Sequence, residues 1–174
     1  MGQYYKVVFL GYEPTVNKKE TIRLWLCPHR YGEGLKILEH SRVGSLFMNV
    51  IDEMLSVNGA FYKSRMVWAG DYSKKEKYSD KNLYNEQDDG DHVSKIKLFN
   101  NDCNFITNHS KKQYIMNPGK GFNHPLPLLT CEGGCNADDI HEKWVGFWSR
   151  DIISNESEAI EGYELIEIGK YKSY

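Results

Sequence analysis

Apolar residues arrive in short blocks separated by glycine, proline and asparagine. Tyr4 to Leu10 is a β-prone run closed by the turn residues Gly11-Tyr12-Glu13-Pro14, and Ile22 to Leu26 follows a polar tip at Lys18 to Glu20. The stretch 4–26 therefore reads as a hairpin. His29 to Gly34 reads as a loop, and Leu35 to His40 as a further strand or a single helical turn. One helix is expected with a clear apolar stripe: Leu46, Phe47, Val50, Ile51, Met54 and Leu55 recur at three- and four-residue steps between a Gly44-Ser45 start and an Asn58-Gly59 stop. Val67-Trp68-Ala69-Gly70-Asp71-Tyr72 then reads as a strand running into a turn.

The composition changes after Asp71. Four lysines between Lys74 and Lys81 are followed by Glu86, Asp88, Asp89 and Asp91, so 73–96 is expected to be an exposed polar insertion. Lys97 to Asn100 and Asn104 to Thr107 are β-prone again, and Asn108 to Lys111 turns the chain into Gln113 to Met116. Pro118, Pro125 and Pro127 predict extended chain rather than helix. Lys143 to Trp148, Asp151 to Ser154 and Tyr163 to Ile168 supply the last expected strands.

The Trp68 motif has a reduced copy in Val145-Gly146-Phe147-Trp148-Ser149-Arg150-Asp151, each copy carrying Trp-x-x-Asp. Upstream of both lie an aromatic strand, a proline turn and a short apolar segment in the same order. This ordering predicts two related halves, about 1–72 and 97–174, inside one domain spanning 1–174. The fold class expected is α+β, a mostly antiparallel sheet with one clear amphipathic helix.

A chain of 174 residues is long enough to bury one substantial core. With 12 Tyr and 4 Trp it suits strands that bury amphipathic rings. Lys and Arg number 22 against 24 Asp and Glu, and a net charge of −2 gives no general attraction to nucleic acid or anionic membrane. No apolar run approaches the length of a membrane span, and the first residues lack the layout of a signal peptide. A cytoplasmic, soluble protein with reduced cysteines is the expectation.

Candidate chemistry is sparse. If Asp71 and Asp151 end equivalent strands on one rim, they form a carboxylate pair, and His29 and His124 are the histidines placed to join them in a hydrolase-type cleft between the halves. Cys27-x-His29 and Cys131-x3-Cys135 are candidate zinc ligands, although neither spacing is the familiar two-residue gap and Glu132-Gly133-Gly134 reads equally as a glycine turn. No cofactor is expected. Trp68 and Trp148 are read first as core, with recognition as their functional alternative.

The opening Met1-Gly2-Gln3-Tyr4-Tyr5-Lys6-Val7-Val8, Cys27-Pro28-His29, Gly34-Leu35-Lys36-Ile37-Leu38-Glu39-His40, Val67-Trp68-Ala69-Gly70-Asp71-Tyr72, Asn108-His109-Ser110-Lys111-Lys112 and His124-Pro125-Leu126-Pro127-Leu128-Leu129-Thr130 together resemble an uncharacterised family of small proteins from bacteria and large DNA viruses. The resemblance spans nearly the whole chain and implies no activity. Where that family looks glycine-rich with a Gly-Asp-Tyr near the second half, this chain has Glu132-Gly133-Gly134-Cys135-Asn136. The functional expectation is a small binding or interaction protein whose partner is another protein. The alternative is the His/Asp hydrolase.

Overall fold

The computed structural model describes residues 3–12, 20–86, 103–135 and 141–169. The β-prone run expected at 97–100 and the acidic residues 88–91 lie outside them. Among the described residues eight strands form one mixed sheet: β1 (Tyr5–Tyr12), β2 (Glu20–Leu26), β3 (Ser64–Gly70), β4 (Phe105–Asn108), β5 (Gln113–Met116), β6 (Cys131–Glu132), β7 (Ile152–Glu156) and β8 (Glu164–Leu165). Three helices accompany it: α1 (Ile37–His40), α2 (Leu46–Leu55) and α3 (Pro125–Thr130). The class is α+β, and the pairings are antiparallel except β3 with β6 and β5 with β8.

Strand order is β2-β1-β3-β7-β4-β5-β8, with β6 on β3. A hairpin whose first strand pairs with a later strand thus occurs twice, as β2-β1-β3 and as β5-β4-β7, and the two units meet antiparallel at β3 and β7. The Trp-x-x-Asp motifs do not share a register in this arrangement. Trp68 lies within β3, whereas Trp148 lies in a turn ahead of β7.

Side-chain alternation sorts the core. Tyr5, Val7 and Phe9 of β1 join Met66 and Trp68 of β3 on the face that receives Phe47, Met48, Ile51 and Leu55 of α2. Val8 and Leu10 join Val67 and Ala69 on the opposite face. Both faces of β1 and β3 are covered, which explains why these strands read as continuous apolar runs rather than alternating ones. Ser45 caps α2 by accepting from the Met48 N–H at 3.3 Å.

Several local expectations change. Pro125–Thr130 is a helix despite its two prolines, because both fall in the first turn, where the backbone N–H groups have no intrahelical acceptor to lose. His124 caps it, its Nδ1 accepting from the Leu126 N–H at 3.2 Å. Within Leu35 to His40 the short helix α1 forms from Ile37, and 143–148 forms the end of a 3-10 turn (Glu142–Trp144) and further turns rather than a strand. Of the strand expected at 163–168, Glu164 and Leu165 pair.

The described part of the expected insertion is not a loose excursion. Residues 71–86 lie across the second face of the sheet, where Leu83 (3% exposed) packs with Val8, Leu10, Val67 and Ala69. Lys6 Nζ sits 4.9 Å from the Trp25 ring centroid and 4.5 Å from that of Tyr84. The buried Asn82 donates to the carbonyls of Asp71 and Ser73 at 3.0 and 3.1 Å. A few well-placed apolar and amide groups thus anchor a segment whose bulk composition is polar.

Candidate functional site

The edge of β3 is shared by two strands laid end to end. Its C-terminal part pairs with β6, Trp68 opposite Cys131 and Ala69 opposite Glu132. Its N-terminal part pairs with β7, Ser64 opposite Ile153 and Arg65 opposite Ile152. At the seam the Arg150 N–H donates to Met66 O (2.9 Å) and the Met66 N–H to Asp151 O (3.2 Å). Arg150 turns the chain into β7 at φ +61°, a conformation that costs a residue with a Cβ about 1–2 kcal/mol.

Its side chain closes the seam. Nε donates to Glu132 Oε1 at 2.6 Å, Nη1 to Glu20 Oε2 at 2.7 Å and Glu76 Oε2 at 2.9 Å, and Nη2 to Glu76 Oε1 at 2.6 Å and Glu132 Oε2 at 2.8 Å. Every guanidinium N–H is used, so Arg150 has no donor left for an anion. Glu20 also accepts from Arg65, and Glu132 from the Ser149 hydroxyl at 2.6 Å. Three carboxylates from β2, the covering segment and β6 are thereby held around one cation, with Arg65 as a second. Three negative charges against two positive leave an excess of acceptors at the surface of the cluster.

Burial opposes the charges, but the hydrogen bonds outweigh it. Desolvation pushes the Glu132 carboxyl up, and the bonds from Arg150 and Ser149 carry it to a net position below the ordinary carboxylate range. Desolvation pulls the Arg150 guanidinium down, and Glu132 and Glu76 more than reverse this, keeping it charged.

Three clefts adjoin along this side of the molecule. The first, about 520 Å³, is lined by Glu20, Glu76, Lys77, Tyr78, Glu86 and Arg150 among others. The second, about 620 Å³, shares Glu76, Lys77 and Arg150 with it and adds Tyr72, Lys74, Lys75 and the Gly133-Gly134 backbone. The third, about 530 Å³, continues past Tyr72, Gly133 and Gly134 to Lys36, Leu38 and Cys135. Tyr72 and Tyr78 stand 60% and 53% exposed. Neighbouring clefts thus share lining residues, with Arg150 and Glu76 bordering both the first and the second.

The residues expected from sequence to share a cleft are dispersed. Asp71 Oδ1 accepts from the Tyr4 N–H at 3.1 Å, beyond one end of β3. Asp151 accepts from Asn108 Nδ2 at 2.8 Å and from Lys111, at the seam near the other end. His29 is exposed in a 3-10 turn (Pro28–Tyr31). His124 is fully buried, its Nε2 3.1 Å from Asp52 Oδ1. Nδ1 accepts the cap hydrogen bond, and Nε2, though close to Asp52, makes no hydrogen bond with it.

Cys27, His29, Cys131 and Cys135 do not converge: among the described residues no three His, Cys, Asp or Glu side chains form a group that could hold a metal ion. Trp68 and Trp148 are both 0% exposed, so neither presents a recognition surface. Trp68 Nε1 donates to His40 Nε2 at 3.0 Å, and Trp148 Nε1 to Gln113 Oε1 at 3.3 Å.

A Ser–His–Glu chain occurs elsewhere, on β7 and in the turn after β4, and its polarity is wrong for a nucleophile. Ser154 Oγ donates to Glu156 Oε1 at 2.6 Å, so the 2.7 Å contact with His109 Nε2 has the histidine as donor. Ser154 is also fully buried. Burial, reinforced by Lys63 and opposed by Glu156, holds His109 below the ordinary histidine pKa.

Sequence reasoning missed Glu20, Glu76 and Glu132, and quoted Arg150 only as a bystander in the Trp148 motif. No spacing links these four positions. A scan against protein-family models and searches among curated proteins and solved structures return no match for the chain.

Proposed function

We propose that this protein is a binding protein whose groove past Arg150 receives an extended polypeptide segment carrying a basic side chain. The observation that carries this reading is the saturated guanidinium: with every Arg150 donor satisfied, Glu20, Glu76 and Glu132 offer their remaining acceptor positions, and Glu86 adds a further carboxylate to the first compartment. A ligand lysine or arginine placed there meets net negative charge. Farther along, Lys74, Lys75 and Lys77 present donors to ligand carbonyls and carboxylates. A polypeptide supplies donors and acceptors in alternation, and the exposed Tyr72 and Tyr78 are amphipathic rings of the kind that dominate peptide recognition. The three adjoining compartments suit an extended chain better than a compact small molecule.

Selection from a displayed library of random peptides tests this. Lys- or Arg-containing sequences should be enriched, and their affinity should fall about tenfold, ~1.4 kcal/mol, in Tyr72→Ala/Tyr78→Ala and again in Glu86→Gln. These side chains are exposed, so the fold is expected to tolerate their loss. Peptides that bind the wild type and these variants equally would remove the groove as the binding surface.

A further inference from the structure

Two thiols sit one behind the other at the far end of the groove. Cys131 begins β6 opposite Trp68, is 2% exposed and directs its sulfur to the Leu128 carbonyl at 3.2 Å. Cys135 packs against the same core from the cleft side, in the compartment lined by Gln3, Tyr5, Lys36 and Leu38. The two thiols lie close enough for each to shift the other's ionisation. Between them Gly133 and Gly134 adopt φ +95° and +87°, a region side-chain-bearing residues rarely enter, and this lets so short a loop fold back on itself. The loop is stapled from outside: the Tyr5 hydroxyl donates to Gly134 O at 2.5 Å and the Gln3 amide to Glu132 O at 3.3 Å.

We propose that Cys131 and Cys135 form a redox-active dithiol, Cys135 attacking and Cys131 resolving, that exchanges with low-molecular-weight disulfides of the glutathione class. Placement assigns the roles, since Cys135 lines the cleft whereas Cys131 is closed off behind it. The electrostatics agree. The interaction with Cys131 lowers the Cys135 pKa against burial, whereas the interaction with Cys135, together with burial, raises that of Cys131.

In the forward reaction the Cys135 thiolate attacks one sulfur of the disulfide, forming a mixed disulfide and expelling one thiolate. Cys131 then gives up its proton to that thiolate and attacks the Cys135 sulfur, expelling the second, which takes up the proton that Cys135 had released. The balance is one protein dithiol plus one small disulfide giving one protein disulfide plus two small thiols. Oxidation locks the loop that contains Glu132, which ties the thiol pair mechanically to the Arg150 cluster.

The test equilibrates the full-length protein in glutathione buffers of increasing oxidised fraction, followed by acid quenching, alkylation and tryptic mapping. Both cysteines fall in one peptide, 121–143, since no Lys or Arg lies between Lys120 and Lys143. The expected result is that this peptide loses both alkyl groups together and becomes lighter by two hydrogens, while Cys27 and Cys103 stay alkylated. Cys131→Ser should trap a glutathione adduct on Cys135, and Cys135→Ser should form neither adduct nor disulfide. Alkylation of both thiols at every buffer ratio, or an adduct that persists in the wild type without closing to a disulfide, would overturn the proposal. The wild-type map decides the matter even if a variant fails to fold.

Discussion

Replacing Arg150 separates two effects that the structure superimposes, a favourable charge network and an unfavourable backbone. Arg150→Ala deletes five hydrogen bonds and leaves Glu20, Glu76 and Glu132, whose side chains are 20–22% exposed, facing one another. Removing one partner of a fully buried ion pair costs about 3–5 kcal/mol. The Arg150 side chain is 25% exposed, which places the loss at the lower end, about 3 kcal/mol at pH 7. Arg150→Gly deletes the same bonds but removes the Cβ at φ +61°. The relief of about 1–2 kcal/mol exceeds the extra chain entropy of glycine, about 0.5–1 kcal/mol, so the glycine variant should be more stable than the alanine variant by roughly 1 kcal/mol. Urea denaturation of the three proteins supplies the comparison. The deficit of both variants should also shrink as pH falls through the carboxylate range. The wild type loses the contribution of a Glu132 carboxylate whose pKa lies below the ordinary 4.5, while the variants shed the repulsion among acids that have lost their shared cation. An alanine variant within about 0.5 kcal/mol of wild type would show that the network adds nothing. A glycine variant no more stable than the alanine one would show that no strain resides at this position.

What could be read from the sequence was whatever is encoded locally. The stripe from Leu46 to Leu55 and its Ser45 cap are local, and so are the hairpin of β1 and β2 and the apolar run of β3. Where tertiary context decided, local signals misled. Two prolines argued against α3 because proline opposes helix interiors, yet a six-residue helix is nearly all first turn. The polar composition of 73–86 argued for a loose loop, yet Leu83, Asn82 and Glu76 suffice to anchor it. The Arg150 cluster was illegible for a stronger reason: its carboxylates lie 130, 74 and 18 residues from the arginine and meet only because β6 and β7 share one edge of β3. The Trp-x-x-Asp pair drew attention to the right turn but to its buried residue. Trp148 fills the core, and the residue facing the groove is Arg150.

Trp68→Ala and Trp148→Ala, each emptying a fully buried indole site, should each lose about 3–5 kcal/mol in urea denaturation; less than about 1 kcal/mol at either would contradict its burial. Replacing 73–86 by a short Gly-Ser linker should lower stability by several kcal/mol, because it uncovers Val8, Val67 and Ala69 and strips Glu76 from Arg150. An unchanged melting temperature would return that segment to a dispensable loop. The last expectation concerns acid. His40 is fully buried with Nδ1 donating to Gly34 O (2.9 Å) and Nε2 accepting from the Trp68 indole (3.0 Å), so a second ring proton would meet a donor instead of an acceptor. Burial is the main reason its pKa is pushed down from 6.5 to about 4, opposed only partly by the Gly34 bond and by Glu39. Between pH 6.5 and 4 the unfolded chain therefore binds the proton that the folded one refuses, and stability must fall as pH falls, by about 3 kcal/mol across the window from this histidine alone. His109, also depressed by burial, acts in the same direction. In His40→Gln the baseline stability drops, but its slope against pH over this window should flatten relative to wild type. If the two slopes coincide, His40 does not titrate between the folded and unfolded states, and the proton on Nδ1 with the lone pair on Nε2 is the wrong assignment.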